Sequence, residues 1–212
     1  MNELFKAYRY SNAPKKRGVV RERILRVLLN HPSGEHTKYW VAKSVEATYS
    51  WVHDCLRDLE NKGLVEQTRV ENFRDLILFW RDFRVVPEKR DYMIKKPLDL
   101  LKSAGMEYAL TTYAAENLVQ RYLFPSRTDF YIHSKDQARW HEILSQKGLV
   151  GGGNTRVLIG DEHVFYNSSE YNGLKTVSIP QLAVDLLMEG GPCVEAAEML
   201  VEKEAGRHVH GR

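Results

Sequence analysis

The chain has 212 residues, of which 43% are hydrophobic and 28% charged, a composition typical of a globular protein with one large or two modest domains. No apolar run approaches the length of a membrane span, and MNELFKAYRY lacks the apolar core of a signal peptide, so we expect a cytoplasmic protein. The net charge of +3 is uneven, because residues 1–90 contain 18 basic and 12 acidic residues whereas residues 91–212 contain 13 and 16. This asymmetry predicts two modules with different partners.

Three helices are predicted in the first module. The first follows Gly18, carries apolar residues at helical spacing in VVRERILRVLLNHP, and ends at Pro32. Thr37 and Thr48 are the expected N-caps of the second and third helices. Gly63 is the expected residue just past the end of the third helix.

The third predicted helix has two different faces. Its apolar residues recur at i, i+3, i+4 and i+7, which predicts a buried stripe of Val52, Cys55, Leu56 and Leu59. We expect Trp51 to pack against a neighbouring element. The other face carries Tyr49, Ser50, His53 and Arg57, the kind of polar and aromatic set that a recognition helix presents to base edges.

The segments LVEQTRV and LILFWRD flank Glu71–Asp75, and their strand-like composition predicts a hairpin with its turn there. Three helices followed by a hairpin, with the segment YSWVHDCLRDLENKGLV, resemble the winged helix-turn-helix superfamily. That resemblance implies a duplex DNA partner whose bases contact Tyr49, Ser50, His53 and Arg57. It also implies phosphate contacts from Lys38 and Lys43 on the second helix, Arg69 and Arg74 on the wing, and the basic arm Lys15, Lys16 and Arg17.

Two acidic residues leave a second role open for this module. Asp54 and Asp58 place negative charge on or beside the DNA-facing side of the third helix. Winged helices also serve as protein-docking modules, so the alternative is an adaptor that does not bind DNA.

The predicted boundary lies near Glu88, which gives a winged-helix domain over residues 1–87 and a second domain over residues 88–212. The second domain mixes predicted helices and strands, so the fold class is α/β (α+β). Its predicted elements include a strand TDFYIH, a hairpin turning at Gly160–Asp161, a turn at Asn172–Gly173, and a helix whose start carries a capping box from Ser178 to Gln181.

Four segments of the second domain, YALTTYAAENLV, TDFYIH, VLIGDEHVFY and TVSIPQLAVDLLMEGGPCVEAAEML, resemble the C-terminal half of AbiEi-type antitoxins. These are winged-helix repressors of abortive-infection toxin–antitoxin operons, and the resemblance covers most of residues 20–203. It implies sequence-specific transcriptional regulation by the first domain and an antitoxin or regulatory role for the second. A cognate toxin or a second copy of the chain is the further partner that it implies.

The sequence predicts no catalytic residue, no cofactor and no metal site. Cys55 and Cys193 lie in helical patterns without a CxxC pair, which indicates two buried thiols, and the histidines are scattered. GGGN at Gly151–Asn154 lacks the lysine and hydroxyl of a phosphate-binding loop and is interpreted as a turn. Acidic residues such as Asp161 and Glu162 are expected in a turn.

One segment offers a third, enzymatic reading. Arg127-Thr128-Asp129, leading into a strand, faintly resembles a nucleotidyltransferase core, in which paired aspartates hold two metal ions. Tyr131 stands where the second carboxylate would be needed, and one carboxylate holds Mg²⁺ only weakly. We therefore expect Asp129 to be structural and to pair with Arg127.

Overall fold

The computed structural model describes residues 18–210, with side chains as far as Arg207, and it is mixed α/β as predicted. The first elements are α1 (Val19–Asn30), α2 (Lys38–Ser44), α3 (Tyr49–Asn61), β1 (Val65–Glu66), β2 (Arg69–Val70) and α4 (Phe73–Asp82). None of the described helices is long and apolar enough to cross a membrane.

The predicted helix ends of the first module are confirmed. The Thr37 hydroxyl accepts a hydrogen bond from the Trp40 amide at 3.2 Å, and the Thr48 hydroxyl accepts one from the Trp51 amide at 3.4 Å. Gly63 adopts a φ of +68°, and the next amide, that of Leu64, donates to the Leu59 carbonyl at 3.0 Å. This is the bond by which a left-handed residue closes a helix C-terminus.

The predicted hairpin around Glu71–Asp75 is wrong. The observed hairpin pairs β1 with β2 through Val65↔Val70 and Glu66↔Arg69, and residues 71–75 instead lead into helix α4. Asn72 caps that helix by accepting a hydrogen bond from the Asp75 amide at 3.1 Å. The apolar residues Phe73, Leu76, Ile77 and Trp80 recur at helical spacing and are all buried. The periodicity of the segment, and not its β-branched and aromatic content, therefore decided its structure.

The remaining elements are β3 (Glu88–Ile94), α5 (Pro97–Ser103), β4 (Ala109–Thr111), α6 (Thr112–Val119), β5 (Thr128–Ile132), α7 (Gln137–Lys147), β6 (Gly148–Val150), β7 (Thr155–Ile159), β8 (Ser169–Tyr171), β9 (Leu174–Thr176), α8 (Ile179–Glu189) and α9 (Pro192–His210). Short 3-10 helices span Ser134–Asp136 and Glu162–Phe165. One mixed sheet has the strand order β6-β3-β7-β5-β4-β9-β8, with the β5–β7 and β4–β9 pairs parallel and the others antiparallel.

The two turns predicted within residues 88–212 had different outcomes. Asn172–Gly173 joins β8 to β9, where Tyr171 pairs with Leu174, so that prediction is confirmed. The hairpin at Gly160–Asp161 is wrong, because a 3-10 helix follows β7 and β7 pairs with β3 and β5. The Asp161 carboxylate accepts two hydrogen bonds from Arg23 of α1, at 2.7 and 2.5 Å, which holds this connection against the N-terminal helices.

Helix α8 lies at the centre of the molecule, in contact with α1, α4, α6 and α9. A single cluster of buried apolar side chains extends from α1 to α9. Cys55 and Cys193 belong to this cluster as free thiols, which confirms the prediction for both. Ser178 stands at the N-cap of α8 but makes no side-chain cap, so the expected capping box does not form.

The polar residues of α1 are buried at this central contact. The Arg26 guanidinium donates to the Gln181 side-chain oxygen at 2.9 and 2.7 Å and to His163 Nδ1 at 3.0 Å. Burial and the nearby charge of Arg84 lower the pKa of Arg26 to about 10. The Gln181 side-chain oxygen thus accepts from a buried arginine and does not complete the capping box.

Candidate nucleic-acid interface

Helix α3 has the two faces that its sequence predicts. Val52, Cys55, Leu56 and Leu59 are buried in the apolar core. On the opposite side Tyr49, Ser50 and Arg57 are exposed and His53 is partly exposed. Helix α2 packs directly on α3, and the β1–β2 hairpin follows it.

The charged groups on the exposed face of α3 are paired with one another. Arg57 donates to the Asp54 carboxylate at 3.1 Å, and its side chain is 64% exposed. His53 Nδ1 lies 3.7 Å from the same carboxylate. An exposed ion pair of this kind contributes about 0–1 kcal/mol, so Arg57 can exchange Asp54 for another acceptor at small cost.

Trp51 was expected to pack against a neighbouring element, and in the structure it is 44% exposed. It directly precedes the buried stripe that begins at Val52, and a 3.6-residue repeat turns it away from that stripe. Tyr49 on the same helix is 50% exposed and Tyr39 on α2 is 59% exposed. Helices α2 and α3 therefore present three large aromatic side chains to solvent.

The two predicted phosphate-contacting lysines of α2 differ in their surroundings. Lys43 is exposed, and its ammonium lies 5.0 Å from the centre of the Tyr39 ring. Lys38 pairs with Glu60 of α3 at 3.1 Å. The cationic group of Lys43 is therefore the more accessible of the two.

The two arginines predicted on the wing lie on different elements. Arg69 lies on β2 of the hairpin and pairs with Glu66 and Glu71. Arg74 does not lie on the hairpin, because its segment is the first turn of α4, and it faces Glu198 of α9 at 3.5 Å. Its assignment to the wing is wrong for the same reason as the predicted hairpin. The arm Lys15, Lys16 and Arg17 lies outside the described residues.

The hairpin is tied to the loop that joins α1 to α2. The Thr68 hydroxyl donates to the His36 carbonyl at 2.6 Å, and the Val70 amide donates to the Pro32 carbonyl at 2.9 Å. Gly34 has a φ of +75°, and a Cβ there would lie 2.8 Å from the Arg69 Cβ. Hairpin and loop therefore form one packed platform beside α3.

Both carboxylate oxygens of Asp129 are occupied by side chains of the protein itself. Arg127 donates to them at 2.6 and 2.7 Å, which confirms the predicted pairing, and the Thr112 hydroxyl donates at 2.5 Å. Asp129 is 1% exposed. The Tyr131 hydroxyl donates to Asp185 at 3.1 Å, so it serves the buried polar contact around α8.

One group of potential ligands was not recognised in the sequence. His31, Glu35 and His36 each bring a ligand atom to within 4.8 Å of the others. The interpretation of the histidines as scattered is therefore wrong for these two. The signal that was available is the spacing H-x-x-x-E-H within a single short connection between two helices.

A scan against family models, a search of curated proteins and a search of solved structures each find no match to this chain.

Proposed function

We propose that the protein binds duplex DNA through the exposed face of α3 and regulates transcription. The observation that carries this proposal is the division of α3 into a buried apolar stripe and an exposed face with Tyr49, Ser50 and Arg57, next to α2 and followed by the β1–β2 hairpin. This order of elements fits a winged helix-turn-helix, in which the second helix of the motif enters the major groove.

The exposed side chains suit this role by their chemistry. An arginine donates two hydrogen bonds to the O6 and N7 atoms of guanine, and serine adapts to several bases. Arg57 and Ser50 would read bases in this way, with Tyr49 and His53 beside them. Lys43 and Lys38 on α2 and Arg69 on the hairpin would contact phosphates, which fixes the position of the helix in the groove.

We further propose that the regulator is of the AbiEi antitoxin type, or a standalone relative, that it acts in the cytoplasm, and that it is not an enzyme. The sequence resemblance of residues 88–212 supports this assignment. In this reading the second domain docks a cognate toxin or a second copy of the chain. The occupied carboxylate of Asp129 favours a structural role for that residue over the nucleotidyltransferase reading.

A protein-docking adaptor is the second candidate function. Aromatic side chains are enriched at protein interfaces, and Tyr39, Tyr49 and Trp51 are all exposed on α2 and α3. Asp54 and Asp58 add negative charge that does not favour DNA. In this reading the same face of α3 would bind a protein partner.

The salt dependence of DNA binding distinguishes the two functions. We expect fluorescence anisotropy with labelled duplexes to show an affinity that falls steeply with salt, with a log–log slope of about −0.9 for each phosphate contact. Lys43→Gln should make the slope shallower by about one contact, whereas Lys102→Gln, an exposed lysine on α5, should leave it unchanged. Absence of binding at low ionic strength, or an affinity insensitive to salt, would reject the DNA function in favour of the adaptor.

A further inference from the structure

The loop between α1 and α2 brings two imidazoles and a carboxylate together. His31 Nδ1 lies 2.9 Å from Glu35 Oε1, and His36 Nε2 lies 3.8 Å from the same oxygen. The His31 and His36 rings are 4.6 Å apart between centroids. All three side chains are partly accessible to solvent, so an ion can reach them.

Each of these three side chains is also held by a neighbour. The Nε2 atom of His31 lies 2.7 Å from the Tyr166 hydroxyl, and the Ser33 hydroxyl donates to Glu35 Oε2. The indole of Trp40 stacks on the His36 ring with 3.5 Å between centroids and 12° between planes. The contact of His31 with Tyr166 is the kind that metal-binding histidines characteristically make with their second nitrogen. Such an outer hydrogen bond fixes the tautomer and the orientation of the ring.

We propose that His31, Glu35 and His36 form a binding site for a divalent transition-metal ion of the Zn²⁺ class, with water completing the coordination. His31 binds through Nδ1, while its Nε2–H donates to Tyr166. His36 binds through Nε2 and Glu35 through Oε1. Two imidazoles with one carboxylate suit Zn²⁺, Cu²⁺ or Ni²⁺, whereas Mg²⁺ and Ca²⁺ prefer sites built from oxygen ligands alone.

The distances are close to what such an ion requires. With metal–ligand bonds of about 2.0–2.2 Å in tetrahedral geometry, ligand atoms lie about 3.3–3.6 Å apart. The contacts of 2.9 and 3.8 Å to Glu35 Oε1 lie on either side of that range, and all three ligand atoms lie within 4.8 Å of one another.

A histidine–glutamate ion pair without any metal function is the simpler reading of this contact. The protein contains a matched example, because His133 Nε2 lies 2.9 Å from Glu107 Oε2. Among the described residues, only His31, Glu35 and His36 assemble three potential ligands around one point. A comparison of variants at Glu35 with variants at Glu107 therefore distinguishes a metal site from an ion pair.

The experiment is isothermal titration calorimetry of the full chain with ZnCl₂ in a non-chelating buffer. Because the tail sequence HVH can itself bind metal, every protein in the series carries His208→Gln and His210→Gln. We expect this parent to bind one Zn²⁺ per chain and to unfold at a higher temperature in its presence. His36→Asn and Glu35→Gln should each weaken binding by more than tenfold, and Tyr166→Phe by roughly tenfold, as for loss of an outer hydrogen bond. Glu107→Gln should bind like the parent.

Co²⁺ gives an independent readout, since nitrogen and oxygen ligation in a site of low symmetry produces visible absorption bands. These bands should appear on addition of CoCl₂ to the parent and be lost in His36→Asn. If His36→Asn does not fold, Tyr166→Phe, which leaves all three ligands in place, carries the comparison. The proposal is overturned if the parent binds no Zn²⁺, if Glu35→Gln and Tyr166→Phe bind as the parent does, or if Glu107→Gln weakens binding equally.

Discussion

In the proposed complex with DNA, Arg57 is the side chain on which base recognition would depend most, and in the free protein its partner is Asp54. On binding, the guanidinium must leave that carboxylate for a base, and the carboxylate itself then faces the phosphates. In that complex the pair would lower affinity for every DNA sequence, but only slightly, because both groups are well solvated. Discrimination would come from Arg57 and Ser50, whereas the pair sets the overall level of affinity.

This predicts that Asp54→Asn tightens binding to DNA of any sequence by about two- to fivefold at low salt, as expected for an exposed charge worth less than about 1 kcal/mol. Anisotropy titrations with specific and random duplexes measure the change. Asp99→Asn, which removes an exposed carboxylate from α5, is the matched control and should change affinity little. Weaker binding by Asp54→Asn, or an equal gain from both variants, would contradict the assignment of this face to DNA.

At single residues, the sequence predicted exposure better than it predicted partners. The apolar repeat of α3 was sufficient to place Tyr49, Ser50 and Arg57 on the solvent side. It was not sufficient for Trp51, because an aromatic side chain is usually buried and the exception depends on what lies beside the helix. The pairing of His31 and His36 across a loop depends on the loop conformation, which no periodicity specifies.

At the scale of elements, α4 shows why the hairpin was predicted at the wrong place in the sequence. Its segment LILFWRD is rich in residues favoured in strands, but packing its apolar stripe requires helical spacing, and Asn72 supplies a start signal. The true hairpin has only two residues per strand, too few for an alternating pattern to be recognised. Helix α3 was predicted correctly because its apolar stripe, its cap Thr48 and its terminal Gly63 agree, whereas α1 was identified by its stripe and Pro32 and α2 by its cap Thr37.

The N-cap of α4 gives a prediction at this scale. Asn72→Ala removes the acceptor for the Asp75 amide and should lower the free energy of unfolding by about 1 kcal/mol. Asn72→Ser keeps a side-chain acceptor at the same position and should retain most of that stability. Urea denaturation followed by circular dichroism measures both variants. An equal loss in the two would show that the cap contributes little and that the packing of Phe73, Leu76 and Trp80 holds the helix.

At the scale of the whole molecule, the N-terminal helices are joined to α8 by a buried polar contact as well as by apolar packing. Arg84 pairs with Glu22 of α1 at 2.9 Å and with Asp185 of α8 at 3.1 Å, and all three side chains are nearly inaccessible to solvent. The partners are separated by 62 and 101 positions in sequence. A sequence reading based on local spacing takes such residues for solvated charges, so this contact was not predictable from it.

His163 is bonded to Arg26 of α1, beside this contact, and we expect it to make the stability of the molecule depend on pH. Its Nδ1 accepts from Arg26 at 3.0 Å, and its Nε2–H donates to the Ser44 carbonyl at 3.1 Å, so the ring is held in one neutral tautomer. Burial, together with the positive charges of Arg26 and Arg23, lowers the pKa of His163 from 6.5 to about 3. A proton would remove the acceptor for Arg26 and place a third cation beside two arginines.

The sign of the pH effect follows from this lowered pKa. Below pH 6.5 the unfolded chain takes up a proton on residue 163, whereas the folded chain does so only near pH 3. The free energy of unfolding should therefore fall as the pH is lowered through this window, by about 1.4 kcal/mol per pH unit for one such group. We expect His163→Gln, which keeps an acceptor and a donor but does not titrate, to show a flatter profile between pH 6.5 and 4. His53→Gln on the surface of α3 should keep the parent slope. Urea unfolding across this pH range measures the difference, and profiles of the parent and His163→Gln that run parallel would show that His163 does not couple protonation to the attachment of the N-terminal helices.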